Sequence, residues 1–244
     1  MSTARPTLLL VHGSWHGPWC WDRLIPELAA RDIACQTVAL PSCAAEPGPW
    51  GTLHDDADAV SAAASKIGGP VAVLGHSYGG VVISHATYPA NVTRLLYLGA
   101  VMPDTGRSLV SYLPPGPLPK YVLDRGDGTL MVNRKVIGRD LYGDCDAETV
   151  AWASARVVPQ NAAAPMTPIE DAAWRRIPSS YILLATDLAI PTALQRRFAE
   201  QATEMCELPG SHSPFAARPA ALASLIADIL PNAANRPAFL VATA

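Results

Sequence analysis

Residues 71–82 read V-A-V-L-G-H-S-Y-G-G-V-V, and the reading of this stretch decides the fold. Val71, Ala72, Val73 and Leu74 make a short apolar, β-prone run, and Gly75-His76-Ser77-Tyr78-Gly79 follows it directly. Glycines on both sides of a serine let neighbouring backbone pass where a Cβ would clash, so a strand can turn sharply into a helix with the serine hydroxyl presented above the strand end. The apolar residues after the turn predict a helix over 77–88, stopped by Pro89, which has no backbone donor and disfavours a helical residue before it. G-x-S-x-G alone is a weak pattern, because glycine and serine are common. The strand before it and the helix after it supply the missing context and make Ser77 the candidate nucleophile. The bland alternative is a glycine turn that only packs well.

Working outward, Thr7-Leu8-Leu9-Leu10-Val11 reads as an earlier buried strand, broken by His12-Gly13 and the turn residues Ser14-Trp15-His16-Gly17-Pro18. Trp21, Leu24, Ile25 and Leu28 recur on one helical face, which predicts a helix over 19–30. A second strand is expected over 34–40, a Pro- and Gly-rich loop over 41–51, and a helix over 52–66 whose acidic first turn suits a helix N-terminus. After the central stretch comes a fourth strand over 92–100. Strands alternating with helices imply an α/β fold, a mostly parallel sheet with helices on both faces.

The alternation breaks at Met102. Residues 103–176 carry several prolines, a helical patch over 147–156 and large side chains to bury, Tyr121, Tyr142, Trp152 and Trp174 among them. An interruption with so much apolar surface reads as a helical cap inserted after the fourth strand, a lid over a site, and not as a linker. Alternation resumes with a strand over 180–186, a helix over 192–201, a strand over 204–208, a loop holding His212, and a helix over 219–230. The tail, 231–244, shows no period. The expectation is one domain over 1–244 with a cap subdomain over 103–176.

The chain has 244 residues, half of them hydrophobic, enough for one sizeable core. A net charge of −3 with both signs scattered gives no footprint for nucleic acid and no patch for an anionic membrane, so small molecules are the expected partners. No run is long enough to span a bilayer, and the apolar run at 7–11 is too short for a secretion signal. The five cysteines are odd in number and lack C-x-x-C or His/Cys clustering, which argues against a disulfide framework and a structural metal and for reduced thiols in a cytoplasmic protein. A homodimer is compatible with the sequence, which leaves the oligomeric state open.

A serine hydroxyl becomes a nucleophile when a base takes its proton and a third group orients the base. Of the six histidines only His212 stands in a loop after a late strand, where the order Ser, Asp, His would place the base. Asp187 and Asp104 both follow strands and compete for the orienting role. Asp187 is favoured because it fits that order without involving the cap entrance, where Asp104 reads as a hinge residue. Backbone N–H groups of Tyr78 and Ser14 are placed to hold an oxyanion. Gly13, Trp15 and His16 are the substrate-pocket candidates, with a core role for Trp15 equally open.

These residues resemble a known family. H-G-S-W-H-G-P-W-C-W over 12–21, G-H-S-Y-G-G over 75–80, M-P-D over 102–104, L-Y-G-D-C over 141–145, D-L-A-I-P over 187–191 and G-S-H over 210–212 are similar, in the same order, to the α/β-hydrolase group of plant methylesterases and hydroxynitrile lyases with their bacterial relatives. The likeness spans nearly the whole chain. It implies the α/β-hydrolase fold with about six strands in the sheet, Ser77 as nucleophile, Asp187 as acid, His212 as base, Ser14 and Tyr78 as oxyanion donors, and no cofactor. The lyases of the group carry a threonine and a lysine where this chain has Gly13 and Ser213. Without the lysine a leaving cyanide has no cationic partner. The expected activity is therefore hydrolysis of a small hydrophobic or aromatic carboxylic ester through an acyl-enzyme. Carbon–carbon lyase chemistry and a non-turnover ligand receptor are the alternatives, since a fold does not settle a reaction.

Overall fold

The computed structural model describes residues 5–230 apart from Pro47. The tail read as aperiodic, 231–244, lies outside the described residues. In chain order the strands are β1 (Thr7–Val11), β2 (Cys35–Val38), β3 (Val71–His76), β4 (Val92–Leu98), the short β5 (Val122–Asp124), β6 (Thr129–Val132) and β7 (Gln160–Asn161), then β8 (Ser179–Leu184) and β9 (Glu204–Leu208). The helices are α1 (Leu24–Ala29), α2 (Leu53–Lys66), α3 (Gly79–His85), α4 (Ile137–Asp140), α5 (Ala147–Arg156), α6 (Thr192–Ala199), α7 (Pro214–Ala217) and α8 (Pro219–Ile229).

Six strands form the main sheet in the order β2-β1-β3-β4-β8-β9, and every neighbouring pair is parallel. Side chains of a strand alternate between faces, and here both faces are covered. Leu9, Val11, Val71 and Val73 meet Val60 of α2 and Val81 of α3 on one side. Leu8, Leu10, Ala72 and Leu74 meet Leu24 and Leu28 of α1 with Leu222 and Ile226 of α8 on the other. This double burial explains why the central strands read as continuous apolar runs.

Helix ends follow from local chemistry. Thr52 and Asp55 cap α2 reciprocally, Thr52 N donating to Asp55 Oδ2 at 2.7 Å and Asp55 N to Thr52 Oγ1 at 3.3 Å. The helix of the central stretch is shorter than its apolar pattern predicts. Ser77 has φ 56°, which no α-helix accepts, so α3 begins at Gly79. It ends at His85 because the ring of a proline excludes a helical carbonyl four residues earlier, and Pro89 stands four residues on. The expected helix over 19–30 is a 3-10 turn, Pro18–Trp21, followed by α1, whose first turn holds Pro26 where no hydrogen bond is lost.

The excursion between β4 and β8 is not wholly helical. It holds α4, α5 and a small antiparallel sheet, β5-β6-β7, whose strands of two to four residues are too short to show a period in sequence. It is stitched to the body, with Val158 N donating to Trp15 O at 2.8 Å and Asn161 N to Ser42 O at 2.9 Å. Among the described residues no helix is long and apolar enough to cross a membrane.

Candidate active site

Ser77 stands where β3 ends, in a left-handed conformation that costs a non-glycine residue about 1–3 kcal/mol. The turn holds it there. Ser77 N donates to Leu98 O at 3.3 Å, and its carbonyl accepts from Gly80 N at 3.0 Å and Val101 N at 3.2 Å. A Cβ on Gly75 would come within 2.6 Å of Gly79 O, and one on Gly79 would come within 2.7 Å of the Val11 and His12 carbonyl oxygens, so each glycine of the pattern lets backbone pass close by.

His212 reaches the same end of the sheet from the loop after β9, and Asp187 from the loop after β8. Their side chains are buried and joined, with His212 Nδ1 donating to Asp187 Oδ2 at 2.8 Å. Because a carboxylate only accepts, this contact places the ring proton on Nδ1 and leaves Nε2 with a free lone pair. Asp187 is itself held: Oδ1 accepts from Ala189 N at 2.8 Å and Ile190 N at 3.0 Å, and Oδ2 also accepts from Gln195 Nε2 at 2.9 Å. Ser77 is partly exposed and lines one cavity with His212. Among the described residues no hydrogen bond links the Ser77 hydroxyl to the imidazole, a contact that commonly tightens only with substrate in place.

Asp104 is elsewhere. It is half-exposed and ion-paired with Arg175, so it clasps the two stems of the excursion and does not face His212. The Arg175 guanidinium holds its carboxyl below the usual carboxylate range.

The loop after β1 forms the opposite wall. A Cβ on Gly13 would lie 2.8 Å from Ser77 Cβ, so the loop passes directly over the serine only because residue 13 is glycine. The backbone N–H groups of Ser14 and Tyr78 donate to no acceptor among the described residues, as an anion site requires. The Tyr78 side chain points into the core, its hydroxyl donating to buried Asp56 Oδ2 at 2.7 Å. Trp15 has φ 64° and lies edge-on to Tyr121 on the cavity wall.

Three histidines near the site are held neutral. Burial lowers the pKa of His12 to about 4 and of His16 to about 3, and takes that of His76 well below its ordinary value. Each has a fixed tautomer. His12 Nδ1 donates to Gly13 O at 2.9 Å, His16 Nδ1 to Ser14 O at 2.7 Å, and His76 Nε2 to His212 O at 2.8 Å. Tyr142 of the excursion donates to His16 Nε2 at 2.6 Å. Of the pocket candidates, His16 therefore shapes the loop and the wall; His76, not one of them, supports the backbone of His212.

The cavity has a volume of about 390 Å³ and is lined mainly by apolar groups, several from the excursion, including Leu109, Tyr112, Leu118 and Tyr121. Among the described residues no group of three or more His, Cys, Asp or Glu side chains could hold a metal ion. Sequence reasoning missed Gln195 and Gln160. Both glutamines are fully buried, which composition does not reveal; Gln195 falls on α6 one helical turn after Pro191, within reach of the Asp187 loop.

The alpha/beta hydrolase nvfD of Aspergillus novofumigatus is 29% identical over 248 residues, spanning 95% of this chain and 97% of that protein. Norfluorocurarine synthase 2 of Strychnos sp is 25% identical, spanning 93% of this chain and 96% of its own length. The solved pyrethroid hydrolase of Sphingobium faniae JZ-2 superposes with a TM-score of 0.80 at 25% identity, over 92% of this chain and 97% of that one. The alpha/beta hydrolase family matches residues 8–225, and the chain belongs to it.

Proposed function

We propose that the chain is a serine carboxylic ester hydrolase for small hydrophobic or aromatic esters, acting through an acyl-enzyme. The observation that carries this reading is a strained Ser77 sharing a cavity with His212, whose free Nε2 is set by the buried bond of its Nδ1 to Asp187. Ser77 Oγ attacks the ester carbonyl while His212 Nε2 takes its proton. The N–H groups of Ser14 and Tyr78 hold the oxyanion, and the imidazolium, steadied by Asp187, returns the proton to the leaving alcohol. Water then repeats the sequence on the acyl-enzyme. The apolar cavity suits the ester, and residues 103–176 serve as its roof.

A lyase reading is kept by one observation, the synthase among the relatives. Gly13 weighs against it, because any side chain at that position meets Ser77. The test is product analysis with a panel of methyl, short-chain and aryl esters and, beside it, a panel of cyanohydrins. Acid plus alcohol, lost in S77A, supports hydrolysis. An aldehyde or ketone product supports the lyase reading.

A further inference from the structure

The apolar cavity has a polar spot that the hydrolytic steps do not use. Gln160 of β7 lies on the cavity wall and is fully buried, yet its Oε1 has no hydrogen-bond partner among the described residues. The buried indole Nε1 of Trp15, on the wall of the same cavity, is also without a partner. A buried polar atom left unpaired costs about 1–3 kcal/mol, so such atoms are rare in folded proteins unless something else supplies the bond.

The carboxamide is braced from behind. Gln160 Nε2 donates to Ser42 Oγ at 3.3 Å, Ser42 N donates to Asp56 Oδ1 at 2.8 Å, and Tyr78 donates to the other Asp56 oxygen at 2.7 Å. Its backbone is fixed between Leu130 of β6 and the bridge to Cys43. A chain of buried polar groups thus runs from the residue after Ser77 to the unpaired end of Gln160. Such bracing preorganises a recognition group.

We infer that Gln160, with the Trp15 indole N–H, forms a polar subsite that selects esters carrying a hydroxyl on an aromatic acyl part. A hydroxyl both donates and accepts, so it satisfies either end of the carboxamide as well as the indole donor. Neutral residues suit a neutral group, and the mainly apolar remainder of the cavity takes the rest of the ester. The inference rests on reading the cavity as an ester site.

The test uses matched pairs of methyl arylalkanoates, unsubstituted or with one ring hydroxyl at each position in turn. Kd is measured by titration into S77A, where binding is read without turnover, and into S77A/Q160M and S77A/W15F. S77A is expected to bind at least one hydroxylated ester roughly tenfold or more tightly than its unsubstituted partner. Q160M is expected to remove most of that ratio with the unsubstituted ester bound within about threefold, and W15F to reduce it. No preference at any ring position in S77A, or a preference that survives both substitutions, would overturn the subsite. If the ratio behaves as expected but Ser77-containing enzyme hydrolyses neither member of any pair, the subsite stands and the hydrolase reading fails.

Discussion

Gln195 and Asp187 are hydrogen-bonded, and Gln195 Nε2 donates at 2.9 Å to the same Oδ2 that accepts from His212 Nδ1. The glutamine fixes the acid from one side while its Oε1 accepts from Leu184 N at 2.9 Å, tying the carboxylate to the end of β8. Substitution Q195A is expected to lower kcat by about 10-fold or more with little change in KM, because it loosens the orientation of the base and not the binding of substrate. It also leaves a buried N–H unpaired, at a cost of about 1–3 kcal/mol in stability by urea denaturation. Unchanged kcat would show that Asp187 needs no such support.

The two aspartates that compete in the sequence separate on substitution. D187N is expected to reduce kcat by about 10³–10⁴-fold, since the imidazole loses the partner that sets its tautomer. D104N removes an exposed ion pair with Arg175, so turnover should be preserved and stability should change by no more than about 1 kcal/mol. A large loss of kcat in D104N alone would reverse the assignment.

Gly13 is a steric requirement. In G13A the new methyl meets Ser77 Cβ, and either the loop after β1 or the serine must shift. Displacements of this size cost about 10²-fold in kcat. Steady-state kinetics with any hydrolysed ester checks this, and wild-type turnover would mean that the loop does not approach the serine so closely.

Acid should destabilise the fold. His12 and His16 have folded pKa values of about 4 and about 3, and burial also takes that of His76 well below its ordinary value. Between those values and the unfolded value of ~6.5 only the unfolded chain takes up the protons, so the stabilisation present above pH ~6.5 is lost as pH falls, by roughly 1 kcal/mol per pH unit for each of His12 and His16 and in the same direction for His76. Asp56 works in the opposite direction, because burial lifts its pKa to about 6 and its contribution is lost as pH rises through that value. The histidines outnumber it, and urea midpoints should fall between pH 7 and pH 5. A flat or rising profile would contradict their burial as neutral rings.

The main sheet was readable because each of its central strands is apolar on both faces and the crossovers into β3 and β4 are closed by Gly68-Gly69-Pro70 and by Pro89. Ser77 was readable because a strand, two glycines and a helix define its turn in a few consecutive residues, and Asp187 and His212 because they follow strands in a fixed order. What escaped were contacts between distant parts of the chain. Nothing near Gln160 in sequence indicates that Ser42 will hold its carboxamide, and nothing near Tyr142 that its hydroxyl will meet His16. Asp56 read as one acid of a helix N-terminus, yet it turns inward to Tyr78 and Ser42. The strands β5 to β7 were hidden by their length, since a few residues cannot display an alternation.

The proposed hydrolysis passes through a covalent intermediate at one hydroxyl. Treatment with a fluorophosphonate, followed by intact mass and peptide mapping, tests this most directly. A single adduct on Ser77, absent in S77A and formed far more slowly in H212A than in wild type, is the expected result. An adduct on another residue, or equal labelling of wild type and H212A, would contradict it.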